Sequence, residues 1–223
     1  MLHKDYLMRL LLEYTQTLRY LYGLLKNDPD EKTLAAINEK LEEELNLSKD
    51  LLTRMAGGAL IDILTMGNSV KLELHRGVYV AALFYAAAQA HQQLSHSQEV
   101  YACKVNALHL MVYLALEYPD VPLPEYAPNT ADLLVALEDS SLPLSTMQLL
   151  FRYYEHIGVY ARAEDMLFDL LDEEMIDHAA MLSAGIAFYK RLNELPDEAL
   201  IAGNLPREEL VEGLASLYEM RDE

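Results

Sequence analysis

The stretch LLFRYYEHIGVYARAEDMLFDLLD, residues 149–172, decides how this chain folds. Leu150, Phe151 and Tyr154, with Met147 just before them, put apolar side chains on one face of a helix, and a second helical run follows over about 160–172. Between the two stands Gly158, which tolerates the backbone angles of a tight turn. Ala163 is small enough to let the paired helices approach closely where they cross, and Pro143 opens the first of them.

Toward the N-terminus the same period continues. Leu7, Leu10, Leu11, Tyr14, Leu18, Leu21 and Leu25 line one face of a helix over about 2–26, opposite Arg9, Glu13, Gln16 and Arg19. Asp28-Pro29-Asp30-Glu31 supplies a cap, a proline at the first helical position and a Glu three residues after the cap. A second helix starts there, with Leu34, Ile37, Leu41, Leu45, Leu52 and Met55 as its stripe, and so short a connection predicts an antiparallel hairpin. Gly57-Gly58 breaks it, and a short helix over about 59–66 ends at Gly67-Asn68. From 74 to 98 the only Lys, Arg, Asp or Glu is Arg76 and alanines dominate, so this helix must be enclosed by neighbours, among them another helix over about 98–117.

Four prolines between 119 and 128 mark a crossing loop. Beyond it Thr130 is expected to cap a short helix to about Glu138, and further helices are predicted over about 175–192 and 207–220, with Pro196 and Pro206 near helix starts. No β-alternation of useful length occurs. The expected architecture is all-α, a single helical domain over 1–223 with an N-terminal hairpin (1–56), a central apolar pair (57–118) and acidic C-terminal helices (129–223).

Residues 149–172 resemble a tetratricopeptide repeat. Leu150 and Tyr154 match its first helix, Gly158 and Tyr160 its turn, Ala163 the small residue at the crossing, and Leu167 an apolar position. Departures are Met147 where the pattern prefers tryptophan, Phe151 where it prefers a small residue, Leu170 where it prefers alanine, and Met175 where proline is usual. A weaker turn at His96-Ser97, between Ala90 and Ala102, lies about 60 residues away, not the roughly 34 of strict tandem repeats. The resemblance implies a tetratricopeptide-like α-α superhelix, a right-handed array of antiparallel helix pairs with degenerate repeats. The opening Lys4-Asp5-Tyr6-Leu7-Met8-Arg9 and the closing Leu195-Pro196-Asp197-Glu198 and Leu205-Pro206-Arg207-Glu208-Glu209 are also similar to a family of uncharacterised bacterial proteins of about this length, which implies no activity.

Charge narrows the partners. Of the net −19, residues 1–116 carry −2 and residues 117–223 carry −17, a sign that disfavours nucleic acid and anionic membranes and allows a basic partner. The longest apolar run, 77–88, is shorter than the roughly 18 residues a spanning helix needs, and Lys4, Asp5, Arg9 and Glu13 interrupt the start too often for a signal peptide. A cytoplasmic protein is expected. The single cysteine, Cys103, forms no disulfide framework and reads as a small hydrophobe in a helix.

Few residue patterns in the chain point to a chemistry. There is no Glu-x-x-His, no His-Glu-x-x-His and no zinc spacing. Glu174 and His178, one helical turn apart near Asp177 and behind Asp165, Asp169, Asp172 and Glu173, could meet a cation but read as a solvated acidic face. Gly57-Gly58-Ala59 lacks the strand and Gly-Lys-Ser/Thr of a phosphate loop. The seven histidines show no partner pattern, and His91 and His109 are expected as core residues. No catalytic residue, metal ligand or cofactor is assigned.

The leading expectation is a non-catalytic interaction module with an acidic groove bearing Arg152, Tyr153, Tyr154, His156 and Tyr160, suited to a protein or a basic peptide or to a second copy of the chain. The alternative is an enzyme or small-ligand domain whose polar groups, Arg152, Glu155, His156 and His178, converge only in three dimensions. Dimerisation through the first hairpin is a further expectation.

Overall fold

The computed structural model describes residues 2–27, 30–47, 51, 57–65 and 73–222. Among them eleven helices form and no strand: α1 (Leu2–Asn27), α2 (Glu31–Leu45), α3 (Gly57–Thr65), α4 (Leu74–Gln93), α5 (Ser97–Glu117), α6 (Thr130–Ala136), α7 (Leu144–His156), α8 (Tyr160–Leu171), α9 (His178–Asn193), α10 (Asp197–Ala202) and α11 (Arg207–Asp222). The chain divides into two compact units, residues 1–143 and 144–223.

In the first unit α4 is the centre, with 14 of its 20 residues buried. Helix α5 packs along it most extensively, α1 and α2 cover it elsewhere, and α3 and α6 rest on α5. The alanines of α4, from Ala81 to Ala90, are all but fully buried, so neighbouring backbones come close without a bulky side chain between them. Arg76, the lone charge expected in this helix, has a structural use. Its guanidinium donates to the Glu44 carbonyl at 2.6 Å and the Leu64 carbonyl at 3.4 Å, satisfying acceptors in the last turns of α2 and α3, and also reaches the Glu44 carboxylate at 3.3 Å. Beside it the rings of Tyr14 and Tyr79 stack with centroids 3.9 Å apart, pinning α1 to α4.

Several local expectations are corrected. Asp30, not Asp28, caps α2: its carboxylate accepts from the N–H groups of Lys32 and Thr33 at 3.0 and 2.8 Å. Helix α2 stops at Leu45, where Asn46 takes a left-handed φ of 53°, so it does not run on toward Met55; Asp28, Pro29, Leu52, Met55 and Gly67-Asn68 lie outside the described residues. Both α1 and α2 pack more on α4 than on each other, because the enclosed helix offers the larger apolar surface. Gly57 begins α3 and lies against His109 of α5 so closely that a Cβ there would overlap the imidazole. Asn129 rather than Thr130 caps α6, accepting from Ala131 N–H at 2.9 Å. The loop carrying the prolines of 119–128 belongs to the first unit, which runs to Pro143. Leu133 and Leu137 are buried with α6 against α5, and the Tyr101 hydroxyl donates to the Ser141 carbonyl at 2.5 Å.

In the second unit α7 and α8 pair across a three-residue turn in which Gly158 adopts φ +76°, and Ala163 of α8 is fully buried. Helix α9 packs on α8 and α11 on α9. Gly185 marks where three helices meet: a Cβ there would press on Leu167 of α8 and Leu217 of α11. Helix α9 begins at His178, three residues later than expected, because Asp177 accepts from Ala180 N–H at 3.0 Å and ends the preceding turn.

Candidate functional site

In the second unit an open groove of about 520 Å³ lies between α10 and α11. Pro196 fixes the entry to α10 and Pro206 the entry to α11, where a proline leaves no backbone donor unsatisfied. Ile201 and Val211, 66 % and 57 % exposed, lie along it. Large aliphatic side chains this open, lining one groove, are surface that water covers at a cost of roughly 25 cal/mol per Å².

The rim is acidic in effect although it contains Arg207. That guanidinium donates to Asp197 at 2.5 Å, to the Leu195 carbonyl at 2.7 Å and to the Asn193 side-chain oxygen at 3.1 Å, so its charge is turned toward the end of α9. Glu208 and Glu212 are left as the outward charges, in a unit of 17 acidic and 6 basic residues, net −11.

The residues expected to form a groove stand elsewhere. Arg152, Tyr153, Tyr154 and His156 lie on α7, with the rings of Tyr153 and Tyr154 5.9 Å apart and both half-buried. Burial pushes the Tyr153 hydroxyl upward, keeping it protonated. Tyr160 is a packing residue. Its ring covers Gly203, where a Cβ would overlap it, while Ala161 N–H donates to the Gly203 carbonyl at 3.0 Å and ties the start of α8 to the end of α10. Glu155 is held by Arg191 through two bonds of 2.6 and 2.8 Å. His178 begins α9 while Arg191 is in its last turn, about 20 Å along the helix. Arg152, Glu155, His156 and His178 therefore do not converge. Glu174 lies in the turn before α9, so it does not share a helical face with His178, and no group of three or more His, Cys, Asp or Glu is placed to hold a metal ion among the described residues.

The first unit has a cleft of about 440 Å³ lined by Tyr22, Tyr85 and Tyr126 with Arg19, Glu125 and Asp132. Sequence reading missed it, since the tyrosines come from α1, α4 and the loop before α6. Positions 201 and 211 are ten residues apart on successive helices, and spacing does not signal that they line one groove.

Titratable groups are perturbed chiefly by desolvation. Burial pushes Tyr22 up to about 12 and the Cys103 thiol up to about 12, and pulls His109 down to about 4. At neutral pH these are a neutral hydroxyl, an un-ionised thiol and a neutral imidazole.

None of the described helices is long and apolar enough to cross a membrane. No curated protein and no solved structure matches the chain. A family model does, over residues 1–222, and with the helical fold above it places the protein: the chain belongs to DUF6483, a family of unknown function.

Proposed function

We propose that the protein is a non-catalytic interaction module whose α10–α11 groove receives a basic, amphipathic segment of a partner protein. The observation that carries this is the pairing of exposed Ile201 and Val211 with outward Glu208 and Glu212, while Arg207 is tied inward. An amphipathic segment would cover the aliphatic pair with its apolar face and meet the carboxylates with lysine or arginine. The α7–α8 pair, with Gly158 in a left-handed turn and Ala163 of α8 fully buried, supports reading the second unit as tetratricopeptide-like helix pairs, a framework suited to presenting such surfaces.

The test uses a labelled helical peptide of leucine and lysine, titrated into the full chain at low and high salt, beside a peptide of equal charge with no apolar face. Binding should favour the amphipathic peptide and weaken as salt rises. It should also fall at least about tenfold in Ile201→Ser/Val211→Ser, which leaves every charge in place. Equal binding of the two peptides, or no loss in the double variant, would show that the acidic surface attracts cations without a groove, and the proposal would be abandoned.

A further inference from the structure

Helix α4 is enclosed on most sides, yet from its middle onward it keeps one polar row. Tyr85, Gln89, Gln92 and Gln93 recur at intervals of four, three and one, all at least partly accessible. This row lines two clefts, of about 440 and 380 Å³, that share Tyr22 of α1. Tyr85 stands in the first with Tyr126 and Asn129, and the three glutamines stand in the second with Lys26.

Two features of this surface bear on what it can hold. Its charges cancel: Arg19 and Lys26 against Glu125 and Asp132, in a chain of net −19. A balanced surface gives neither a polyanion nor a polycation a net Coulombic advantage. Its hydroxyls are also under-used. The buried Tyr126 hydroxyl has no hydrogen-bond partner among the described residues, and that of Tyr22 makes only a long contact, 3.5 Å, to the Ala82 carbonyl. Burial holds both phenols protonated, so Tyr22, which lines both clefts, keeps a donor and an acceptor, while the Tyr126 hydroxyl lies beneath the surface.

We infer that the joined clefts bind a neutral, polyhydroxylated ligand, a short oligosaccharide, laid along the Tyr85–Gln93 row. A sugar ring has C–H faces that pack on the tyrosine rings and hydroxyls around its edge that each donate and accept. Gln89, Gln92 and Gln93 answer with side-chain amides that carry both functions. No net charge is needed on either side, which is what the cancelled charges of this surface provide.

The full chain is applied to an array of neutral and charged oligosaccharides and to a matched array of neutral peptides, each at low and high salt. We expect capture by at least one neutral oligosaccharide, unchanged by salt, and weakened about tenfold in Tyr85→Ala and in Gln92→Ala. Gln92 is exposed, so its variant keeps the fold where Tyr85→Ala disturbs packing; helical circular dichroism confirms this for each. Capture of no neutral oligosaccharide, capture of charged ones alone, capture of peptides instead, or binding indifferent to Gln92→Ala overturns the inference. It shares no residue with the α10–α11 groove, and its salt-independence separates its outcome from that of the peptide test.

Discussion

Asn106 in the first unit and Glu164 in the second are both polar groups withdrawn from water, and the two units treat them in opposite ways. Asn106 is 1 % exposed, and neither its side-chain oxygen nor its nitrogen has a partner among the described residues. Glu164 accepts from the Tyr189 hydroxyl at 2.5 Å, and the pair is lodged over Gly213, where any side chain would strike both. The first unit has a large apolar core around α4, so it tolerates an unsatisfied amide. The second is built of amphipathic helices around a smaller core, and its partly buried carboxylate is matched with a donor and a glycine. Buried polarity is a local solution to be read unit by unit, and net charge says nothing about it.

The sharpest way to break this contrast is at Gly185. Gly185→Val drives two methyls toward Leu167 and Leu217, and overpacking of this kind should cost about 3 kcal/mol. Native-state hydrogen exchange should show the loss in amides of α8, α9 and α11 and leave those of α4 and α5 protected. Equal loss in both sets would mean that the two units open as one, and the comparison would fail.

Acid should move the units in opposite directions. His109, buried and pulled down to about 4, favours the fold in its neutral form. Its contribution is complete above its ordinary value of about 6.5 and is lost as pH falls from there toward 4, so at pH 5 the first unit should be weaker by roughly 2 kcal/mol. Glu164 is shifted upward, by burial first. Its fold prefers the protonated acid, so stability is greatest below the ordinary carboxylate range and is lost as pH rises through the shifted value. Acidification should therefore raise the protection factors, that is exchange corrected for its intrinsic slowing in acid, in α8 and α9 while lowering them in α4 and α5. His109→Phe should remove the acid sensitivity of the first unit; if exchange in α4 and α5 stays acid-sensitive in that variant, another group is responsible.

The smallest effect tests the polar groups themselves. Asn106→Leu replaces an unpartnered buried amide by a side chain of similar size and should stabilise the first unit by about 1 kcal/mol, whereas Tyr189→Phe strips the donor from Glu164 and should destabilise the second by about the same. Urea midpoints followed unit by unit would show it, and shifts of the same sign would refute the contrast drawn above.

How much of this was legible beforehand follows the range of the forces involved. The hairpin of α7 and α8 was read closely, because Leu150, Tyr154, Gly158, Ala163 and Leu167 report their roles through spacing within one turn or two. Helix ends were harder. Asp28 and Asp30, or Asn129 and Thr130, are both capping types one or two residues apart, and the choice between them is settled by which side chain meets a free N–H. The sites were not legible at all: Tyr22, Tyr85 and Tyr126 are each about 40 or more residues from the next, and Ile201 and Val211 become a groove only when α10 and α11 are set side by side.

By itself the amino-acid sequence determined that the chain is helical, where its most enclosed helix runs and where its acidity concentrates, since backbone hydrogen bonds four residues apart and the sorting of apolar from polar faces are local events. Tertiary structure alone decided that Gly57 would press on His109, that Arg76 would close the ends of α2 and α3, that Tyr160 would be spent on Gly203 and not on a groove, and that two separate surfaces would be left open. Those outcomes depend on how helices distant in sequence fill one another's volume, and packing at close contact has no counterpart in the order of residues along the chain.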